Sequence, residues 1–382
     1  MKRSVEVAIV GGGVIGCSIA YNLARLGLTD VAVYERHYLA AGSTGRCGAG
    51  VRAQWGTEMN CLLASGSIRR FERLAEELDY PSIEFKQGGY LILAFSEVQM
   101  DQFRKNVSLQ NRLEIPSRLV TPGEARRIVP HLGAPDLVGA TFSNTDGHCN
   151  PFKVTDAYAR AARRLGVEIN THTGVTGFAV EHGRITRVLT NRGPVACRHV
   201  VNASGPYSQV TAAMAGVSLP VYSQRHQVMV TEPVAPMQDP MVISFTHGLY
   251  CQQTPHGSFI IGLGDPDEPK GFDTGHTWQF IADAARKIAH LLPPLGRLRV
   301  VRQWSGLYNM TPDAQPILGP APEPSNFWLA VGYSGHGFML APMVGLIIAQ
   351  ELLGQEPEIP AVKHLDLGRF ARGELILEPS VV

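Results

Sequence analysis

A glycine-rich segment near the start of the chain has the residue types and spacing of a dinucleotide-binding turn. The segment reads Gly11-Gly12-Gly13-Val14-Ile15-Gly16 and fits G-x-G-x-x-G. It follows a β-branched apolar run at 5–10 and precedes apolar residues at helical spacing over 14–26, which is the context the pattern requires. The glycines allow a tight turn, close approach of a pyrophosphate and packing of the helix on the sheet. The helix N-terminus then offers N–H donors to the phosphates.

Glu35 is expected to bind the ribose of the same ligand. It ends a second apolar run at 31–34, about 20 residues beyond the glycine turn. Its carboxylate can accept hydrogen bonds from ribose hydroxyls and would repel a 2′-phosphate. This pattern indicates a dinucleotide, and by itself it leaves both FAD and NAD open.

Six segments in order resemble the flavoprotein family of D-amino-acid oxidase, glycine oxidase and sarcosine oxidase. Each segment alone is weak, and their joint occurrence along the whole chain is specific. Within the family, the similarity is greatest to the β subunits of heteromeric sarcosine oxidase, to dye-linked L-proline dehydrogenase and to opine or hydroxyproline dehydrogenases. The segments are GGGVIGCSIAYNLARLG with Glu35-Arg36, the loop Gly42-Ser43-Thr44-Gly45-Arg46, VVNASGPYS at 200–208, GLYCQQTPHGSFIIG at 248–262, GLYNMTPDAQPILGP at 306–320 and GYSGHGFMLAP at 332–342.

The resemblance implies an α/β fold in which a β-rich, α+β substrate domain is inserted into a Rossmann-type FAD-binding domain. The expected FAD-binding domain is discontinuous and comprises 1–85, 145–220 and 325–382. The expected substrate domain comprises 86–144 and 221–324. Alternating strand and helix patterns at the start of the chain, and β-rich patterns over 222–262, agree with this division.

The resemblance also implies which residues contact FAD. The hydroxyl and N–H groups of Ser43 and Thr44 are expected at the pyrophosphate, and the small residues of 47–50 along the flavin ring. The backbone of His336 and the helix that follows it are expected at the flavin pyrimidine, where a helix N-terminus stabilises an anion. The full expected set is Gly11, Gly13, Val14, Ile15, Gly16, Glu35, Arg36, Ser43, Thr44, Arg46, Cys47, Gly48, Ala49, Gly50, Val175, Ala203, Gly205, Gly335, His336, Gly337, Phe338 and Met339.

Three departures from the family pattern carry further expectations. Gly306 stands where monomeric sarcosine oxidase has the cysteine that anchors its flavin, which implies non-covalent FAD. Pro151 stands where the heteromeric enzyme has a histidine that links FMN, so covalent FMN is not expected, while a non-covalent FMN at the interface with a partner subunit stays open. Ile260 replaces a lysine that promotes reaction with oxygen. Electrons are therefore expected to pass to a partner subunit or a dye.

Arg52, Tyr250 and Tyr308 are the candidate catalytic residues. Arg52 aligns with a carboxylate-binding arginine of the family, and a bidentate pair would orient an amino acid well. Either phenol could bond the carboxylate or the amine. The expected reaction is oxidation of the C–N bond of a secondary or α-amino acid (sarcosine, proline, hydroxyproline or an opine) to an imine, by hydride transfer to flavin N5. The alternatives are an autonomous oxidase producing hydrogen peroxide, a non-catalytic FAD-holding subunit, and an NAD-dependent dehydrogenase.

Composition narrows the class of protein. The chain has 382 residues, 34 Lys plus Arg against 33 Asp plus Glu, and a net charge of +1, so it has no basic excess for a nucleic acid partner. The six cysteines form no CxxC pair and no metal-ligand spacing, which predicts no metal site and a reducing, cytoplasmic location. Its apolar runs are shorter than the roughly 20 residues of a membrane span. Peripheral attachment to a membrane through partner subunits remains open.

Overall fold

The computed structural model describes residues 1–380, which form two large β-sheets and the helices that cover them. The strands in chain order are β1 (Ser4–Val10), β2 (Val31–Tyr34), β3 (Gly50–Val51), β4 (Tyr90–Ala94), β5 (Ser117–Val120), β6 (Gly139–Ser143), β7 (Gly147–His148), β8 (Glu168–Asn170), β9 (Val175–Glu181), β10 (Arg184–Thr190), β11 (Gly193–Asn202), β12 (Tyr222–Thr231), β13 (Met241–Ser244), β14 (Leu249–Gln253), β15 (Phe259–Leu263), β16 (Val300–Met310), β17 (Ile317–Pro320) and β18 (Phe327–Val331).

The α-helices connect or flank these strands. In chain order they are α1 (Val14–Arg25), α2 (Glu58–Phe71), α3 (Leu74–Glu77), α4 (Glu97–Arg112), α5 (Pro122–Ile128), α6 (Pro151–Arg164), α7 (Ser208–Met214), α8 (Trp278–Leu291), α9 (Gly337–Leu352) and α10 (Arg369–Arg372). Short 3₁₀ turns occur at Ser43–Arg46, Gly205–Tyr207, Pro293–Arg297 and Pro360–Leu365. Within residues 1–380, no helix has the length and hydropathy needed to cross a membrane.

The first sheet has the strand order β17-β18-β11-β1-β2-β8; in addition, β10 pairs with β11 and β9 pairs with β10. The central strands β18, β11, β1, β2 and β8 run parallel. Of these, β2 (VAVY) and β18 (FWLAV) are apolar throughout, because helices cover one face of this sheet and a second apolar cluster covers the other. Parallel strands place their carboxyl ends at one edge, so the residues that follow β1, β2, β11 and β18 meet there.

The second sheet has the order β16-β12-β15-β14-β13-β4-β6-β5 and is antiparallel except where β13 pairs with β4. Its outer face carries an apolar core shared with α5 and α8. Its inner face faces the carboxyl edge of the first sheet. Register places Ile243 opposite Tyr250, Tyr250 opposite Gly262, and Gly262 opposite Val228, so these positions form one row across that inner face.

The two sheets come from interleaved parts of the chain, as expected for an inserted domain. One boundary differs from the sequence expectation. The strand Ile317–Pro320 pairs with β18 in the first sheet, although 221–324 was expected in the substrate domain. The apolar residues of this strand are buried against the first sheet, which its local pattern did not reveal. The division into domains stays a proposal, with its last boundary moved before Ile317.

Candidate functional site

A long cavity lies between the carboxyl edge of the first sheet and the inner face of the second. Its wall combines the turn after β1, the end of β2, the loop 41–50, the start of β9, the turn after β11, inner-face residues of the second sheet and the start of α9. Every residue expected to contact the cofactor lines this wall except Gly16. Gly16 serves the packing of α1, because a Cβ there would overlap the carbonyl oxygen of Gly11. Arg52, Tyr250 and Tyr308 line the same cavity.

The middle of the cavity is built for an anion. Gly11 has φ +113°, and a Cβ there would overlap the carbonyl of Ala203, so the turn requires glycine. Gly13 precedes α1 with extended backbone and offers no side chain to cap the helix, and Gly13, Val14 and Ile15 line the cavity at this helix N-terminus. Thr44 Oγ1 lies beside them and accepts the Val14 N–H at 3.2 Å. These features fit a pyrophosphate.

The Ser43 hydroxyl has a different role from the one expected. It donates to the carbonyl of Leu307 at 2.6 Å and so ties the loop to β16. Arg46 does the same through Nη1, which donates to the carbonyl of Ser305 at 2.9 Å. Ser43 therefore offers a ligand its backbone, while Thr44 retains a hydroxyl proton.

One end of the cavity suits a ribose and an adenine. The Glu35 carboxylate accepts the N–H groups of Gly12 and His37, both at 2.8 Å, which hold it at the cavity edge. The Arg36 guanidinium lies 3.7 Å from the centre of the Tyr207 ring. Val175 begins β9 at this same end.

At the other end, small residues make room for flat rings. The loop Cys47-Gly48-Ala49-Gly50 forms one wall, and Gln252 Nε2 donates to the Gly48 carbonyl at 2.6 Å. Gly335 has φ +94°, and a Cβ there would overlap the Tyr308 ring. A Cβ at Gly262 would overlap the Tyr250 ring. Glycines at these positions therefore create the slots in which the two tyrosines lie.

His226 is a site residue that the sequence analysis left without a role. Its ring stacks parallel to Tyr308 at 4.4 Å and to Tyr250 at 5.7 Å between centroids. It lines the cavity, is 6 % exposed, and its Nε2 has no hydrogen-bond partner among the described residues. Burial lowers the pKa of His226 to about 4, so the ring is neutral near pH 7. Its place in a strand of mixed polar and apolar residues gave no signal of this role.

His336 lies at the start of α9 with both ring nitrogens buried and unpartnered among the described residues. Its ring packs against Trp55 at 4.8 Å, and burial lowers the pKa of His336 to about 4. The sequence analysis expected only its backbone to meet the cofactor. Because His336 lines the cavity and its ring nitrogens have no partner among the described residues, its side chain is a further candidate to contact a ligand.

Arg52 is a buried cation at the ring end of the cavity. Its side chain is 4 % exposed, and its guanidinium carbon lies 3.7 Å from the centre of the Trp55 ring. Nη1 donates to the Gln54 carbonyl at 2.9 Å, and Nη2 donates to the Ser380 carbonyl. Within residues 1–380, no carboxylate forms an ion pair with Arg52. A buried guanidinium bonded to neutral carbonyls is well suited to an anionic ligand.

Asp146 fixes the segment that carries Arg52. Its fully buried carboxylate accepts the Ala53 N–H and Gln54 Nε2, both at 2.8 Å. Burial raises the pKa of Asp146 to about 7, against the effect of these hydrogen bonds and of nearby Arg52. The sequence did not single out this residue, because Asp146 lies more than 90 positions away along the chain from its partners.

The residues present fit FAD. Four features follow one another along a single cavity: an acidic residue, a glycine turn at a helix N-terminus, a small-residue loop and a second helix N-terminus.

Comparison with known proteins agrees. Residues 6–351 match the family described as FAD dependent oxidoreductase (DAO). The chain is 30% identical to sarcosine oxidase subunit beta of Rhodobacter capsulatus, with 99% of this chain and 91% of that protein covered.

Solved structures show the same architecture. L-proline dehydrogenase from P. horikoshii superposes with a TM-score of 0.93 at 36% identity, covering 98% of this chain and 100% of that one. Glycine oxidase from Geobacillus kaustophilus superposes with a TM-score of 0.88 at 27% identity, covering 96% and 99%. The chain therefore belongs to the DAO family of FAD-dependent oxidoreductases.

Proposed function

We propose that this enzyme oxidises the C–N bond of a small amino acid that bears its amine on the carbon next to the carboxylate. Sarcosine, proline and glycine, the substrates in the names of the similar proteins, share this arrangement. The observation that carries the proposal is Arg52, a buried guanidinium in the cavity without a carboxylate partner among residues 1–380. Arg52 would bind the substrate carboxylate and thereby fix the neighbouring carbon against the ring end of the cavity.

The groups that line the cavity beside Arg52 favour a neutral amine. His226 is uncharged near pH 7, and burial keeps the pKa of Tyr250 well above its usual range. Among residues 1–380, no carboxylate lines the wall at this end of the cavity. A positive ammonium beside Arg52 would therefore be disfavoured. The unpartnered Nε2 of His226 is available to accept a hydrogen bond from the amine.

FAD, when bound, supplies the acceptor for the hydride of the αC–H bond. We propose that it is held without a covalent bond. Gly306 offers no nucleophile, and the thiol of Cys47 in the cavity wall donates to the Thr44 carbonyl at 3.0 Å. Burial raises the pKa of Cys47 to about 12, so it is not a thiolate. The imine product leaves the site and is hydrolysed by water.

We also propose that electrons leave through a partner subunit or a dye rather than directly to oxygen. Ile260 pairs with Gln252 on the inner face of the second sheet, beside the loop at 47–50. Of the described residues that line the cavity, none is a lysine. The subunit designation of the R. capsulatus relative supports a partner, which could share a non-covalent FMN at the interface. An autonomous oxidase is the alternative, favoured by the similarity to glycine oxidase.

The test is to add a panel of amino acids to the enzyme without oxygen and to monitor reduction of the bound flavin by the loss of flavin absorbance. We expect sarcosine, proline or a related N-substituted amino acid to bleach the flavin. Arg52→Ala should lower kcat/KM by about 2–4 kcal/mol, or roughly 30- to 1000-fold, because a desolvated charge pair is lost. Arg52→Lys should recover only part of this loss, since the fork geometry is gone.

If the chain holds FAD but none of these amines bleaches the flavin, the chain would instead be a non-catalytic FAD-holding subunit. Unchanged kinetics in both Arg52 variants would remove Arg52 from the site.

A further inference from the structure

A segment distant in sequence reaches the Arg52 end of the cavity. Residues 374–380, here called the strap, follow α10 and run to Ser380, whose carbonyl accepts Nη2 of Arg52. On its other side, the same guanidinium is held by the Gln54 carbonyl and by the Trp55 ring. The orientation of the guanidinium is therefore set jointly by the 52–55 segment and by the strap.

Glu378 attaches the strap to the start of α2. Its carboxylate, 7 % exposed, accepts hydrogen bonds from Gly56 N at 3.1 Å, Thr57 N at 3.1 Å, Thr57 Oγ1 at 2.7 Å and Asn60 Nδ2 at 3.1 Å. Ser380 N donates to the same carboxylate at 2.9 Å, which fixes the residue that bonds Arg52. Burial opposes the charge, but these hydrogen bonds outweigh it and lower the pKa of Glu378. A negative charge at the start of a helix is favourable.

The other attachment of the strap is also polar. Asp313 forms a fully buried ion pair with Arg369 at 2.9 Å, and it accepts the Ile376 N–H at 3.4 Å. Glu378 N donates to the Asp313 carbonyl at 3.2 Å. Leu377, between these two points, is 67% exposed. Two polar anchors, Glu378 and Asp313, therefore hold the strap, together with the packing of Ile376 against the core. Glu378 is the anchor next to Ser380, so loss of its hydrogen bonds should free that end of the strap.

We propose that Glu378 is a positioning residue for the substrate carboxylate: it holds the strap so that Ser380 keeps the Arg52 guanidinium in its binding orientation. A guanidinium has five N–H donors, and the Gln54 and Ser380 carbonyls use two of them. Three donors remain, which is enough for a bidentate carboxylate. This inference rests on the proposed function of Arg52.

The experiment measures the binding of acetate to the oxidised holoenzyme, and the shift in flavin absorbance is the signal. Acetate carries a carboxylate and no amine, so its Kd reports the Arg52 site without turnover. Glu378→Gln places an NH₂ group against N–H donors and should raise the Kd of acetate about ten- to hundredfold, as expected when a binding group is misplaced by about 1 Å. Thr57→Val removes one donor to Glu378 and should raise the Kd less, by about threefold.

Glu374→Gln is the matched control. Glu374 lies in the strap but is exposed, and among residues 1–380 its carboxylate pairs with Arg372 alone, so this variant should bind acetate as the wild type does. The reduction kinetics give a second readout. In Glu378→Gln, kcat/KM should fall more for proline than for pyrrolidine, its counterpart without the carboxylate, whereas general destabilisation would lower both alike.

The outcomes separate the two proposals. If Arg52→Ala abolishes acetate binding while Glu378→Gln and Thr57→Val bind acetate normally, the strap proposal is overturned and the role of Arg52 stands. If Arg52→Ala binds acetate normally, the role of Arg52 fails, and the strap proposal fails with it. Should Glu378→Gln not fold, Thr57→Val against Glu374→Gln decides the question in the same assay.

Discussion

Two glycines of the same turn should respond in opposite ways to substitution. Gly13→Val should abolish FAD retention with little effect on the fold, and Gly16→Ala should damage the fold itself. Gly13 has φ −78° and ψ −179°, a conformation that valine adopts readily, and the nearest atom to a Cβ there is Thr44 Oγ1 at 3.0 Å. The added methyl groups would occupy the space at the start of α1 where the pyrophosphate is expected.

The magnitudes follow from these contacts. Valine is a poorer helix N-cap than glycine, which costs about 1 kcal/mol of apoprotein stability. At Gly16 a Cβ would overlap the Gly11 carbonyl oxygen, and Gly11 is itself held by its N–H bond to Tyr34 at 2.9 Å. Because that backbone cannot move freely, Gly16→Ala should lower the free energy of unfolding by about 1–3 kcal/mol or more.

The assay is thermal unfolding of the apoprotein with and without FAD, together with the flavin-to-protein ratio after purification. For the wild type, FAD at 100 times its dissociation constant should raise the free energy of unfolding by about 2.7 kcal/mol. Gly13→Val should gain nothing, although its apoprotein unfolds near the wild-type temperature. A Gly13→Val protein that purifies with full flavin, or that FAD stabilises as it does the wild type, would refute the assignment of the turn to the pyrophosphate.

Three further predictions concern the flavin link, the electron route and acid stability. Acid precipitation should release all yellow colour to the supernatant, because Gly306 cannot anchor the flavin and Cys47 is protonated; colour in the pellet would contradict this. Substrate-reduced enzyme should reoxidise much faster with dye than with air in stopped flow, and Ile260→Lys should speed the reaction with oxygen; equally fast wild-type reoxidation by both would indicate an autonomous oxidase. Burial lowers the pKa of His148 from 6.5 to about 4, so the stability it contributes is present above pH 6.5 and lost as pH falls towards 4. In urea titrations, His148→Gln should lessen that acid loss by up to about 3 kcal/mol, and an unchanged pH dependence would show that the histidine is solvated.

Much of the candidate cofactor site could be predicted from the sequence because it is built from local segments. The turn after β1, Glu35 at the end of β2, the loop at 42–50 and the start of α9 each combine a short pattern with an adjacent strand or helix. Parallel strands then bring those segments to one edge of the first sheet. Such patterns can be recognised in the sequence, since hydrophobic periodicity and the positions of glycines indicate local structure within only a few residues.

The arrangement of side chains around Arg52, by contrast, depends on contacts between distant parts of the chain. The stacking of His226 on Tyr308 depends on the register between β12 and β16, and the burial of Asp146 depends on which segment covers it. The bond from Arg52 to Ser380 joins residues 328 positions apart. Short patterns along the sequence were enough to predict the family, the glycine turn and most of the segments that line the cavity. Which polar side chains lie buried together around Arg52 could not be predicted from those patterns, because burial and pairing depend on how distant surfaces meet.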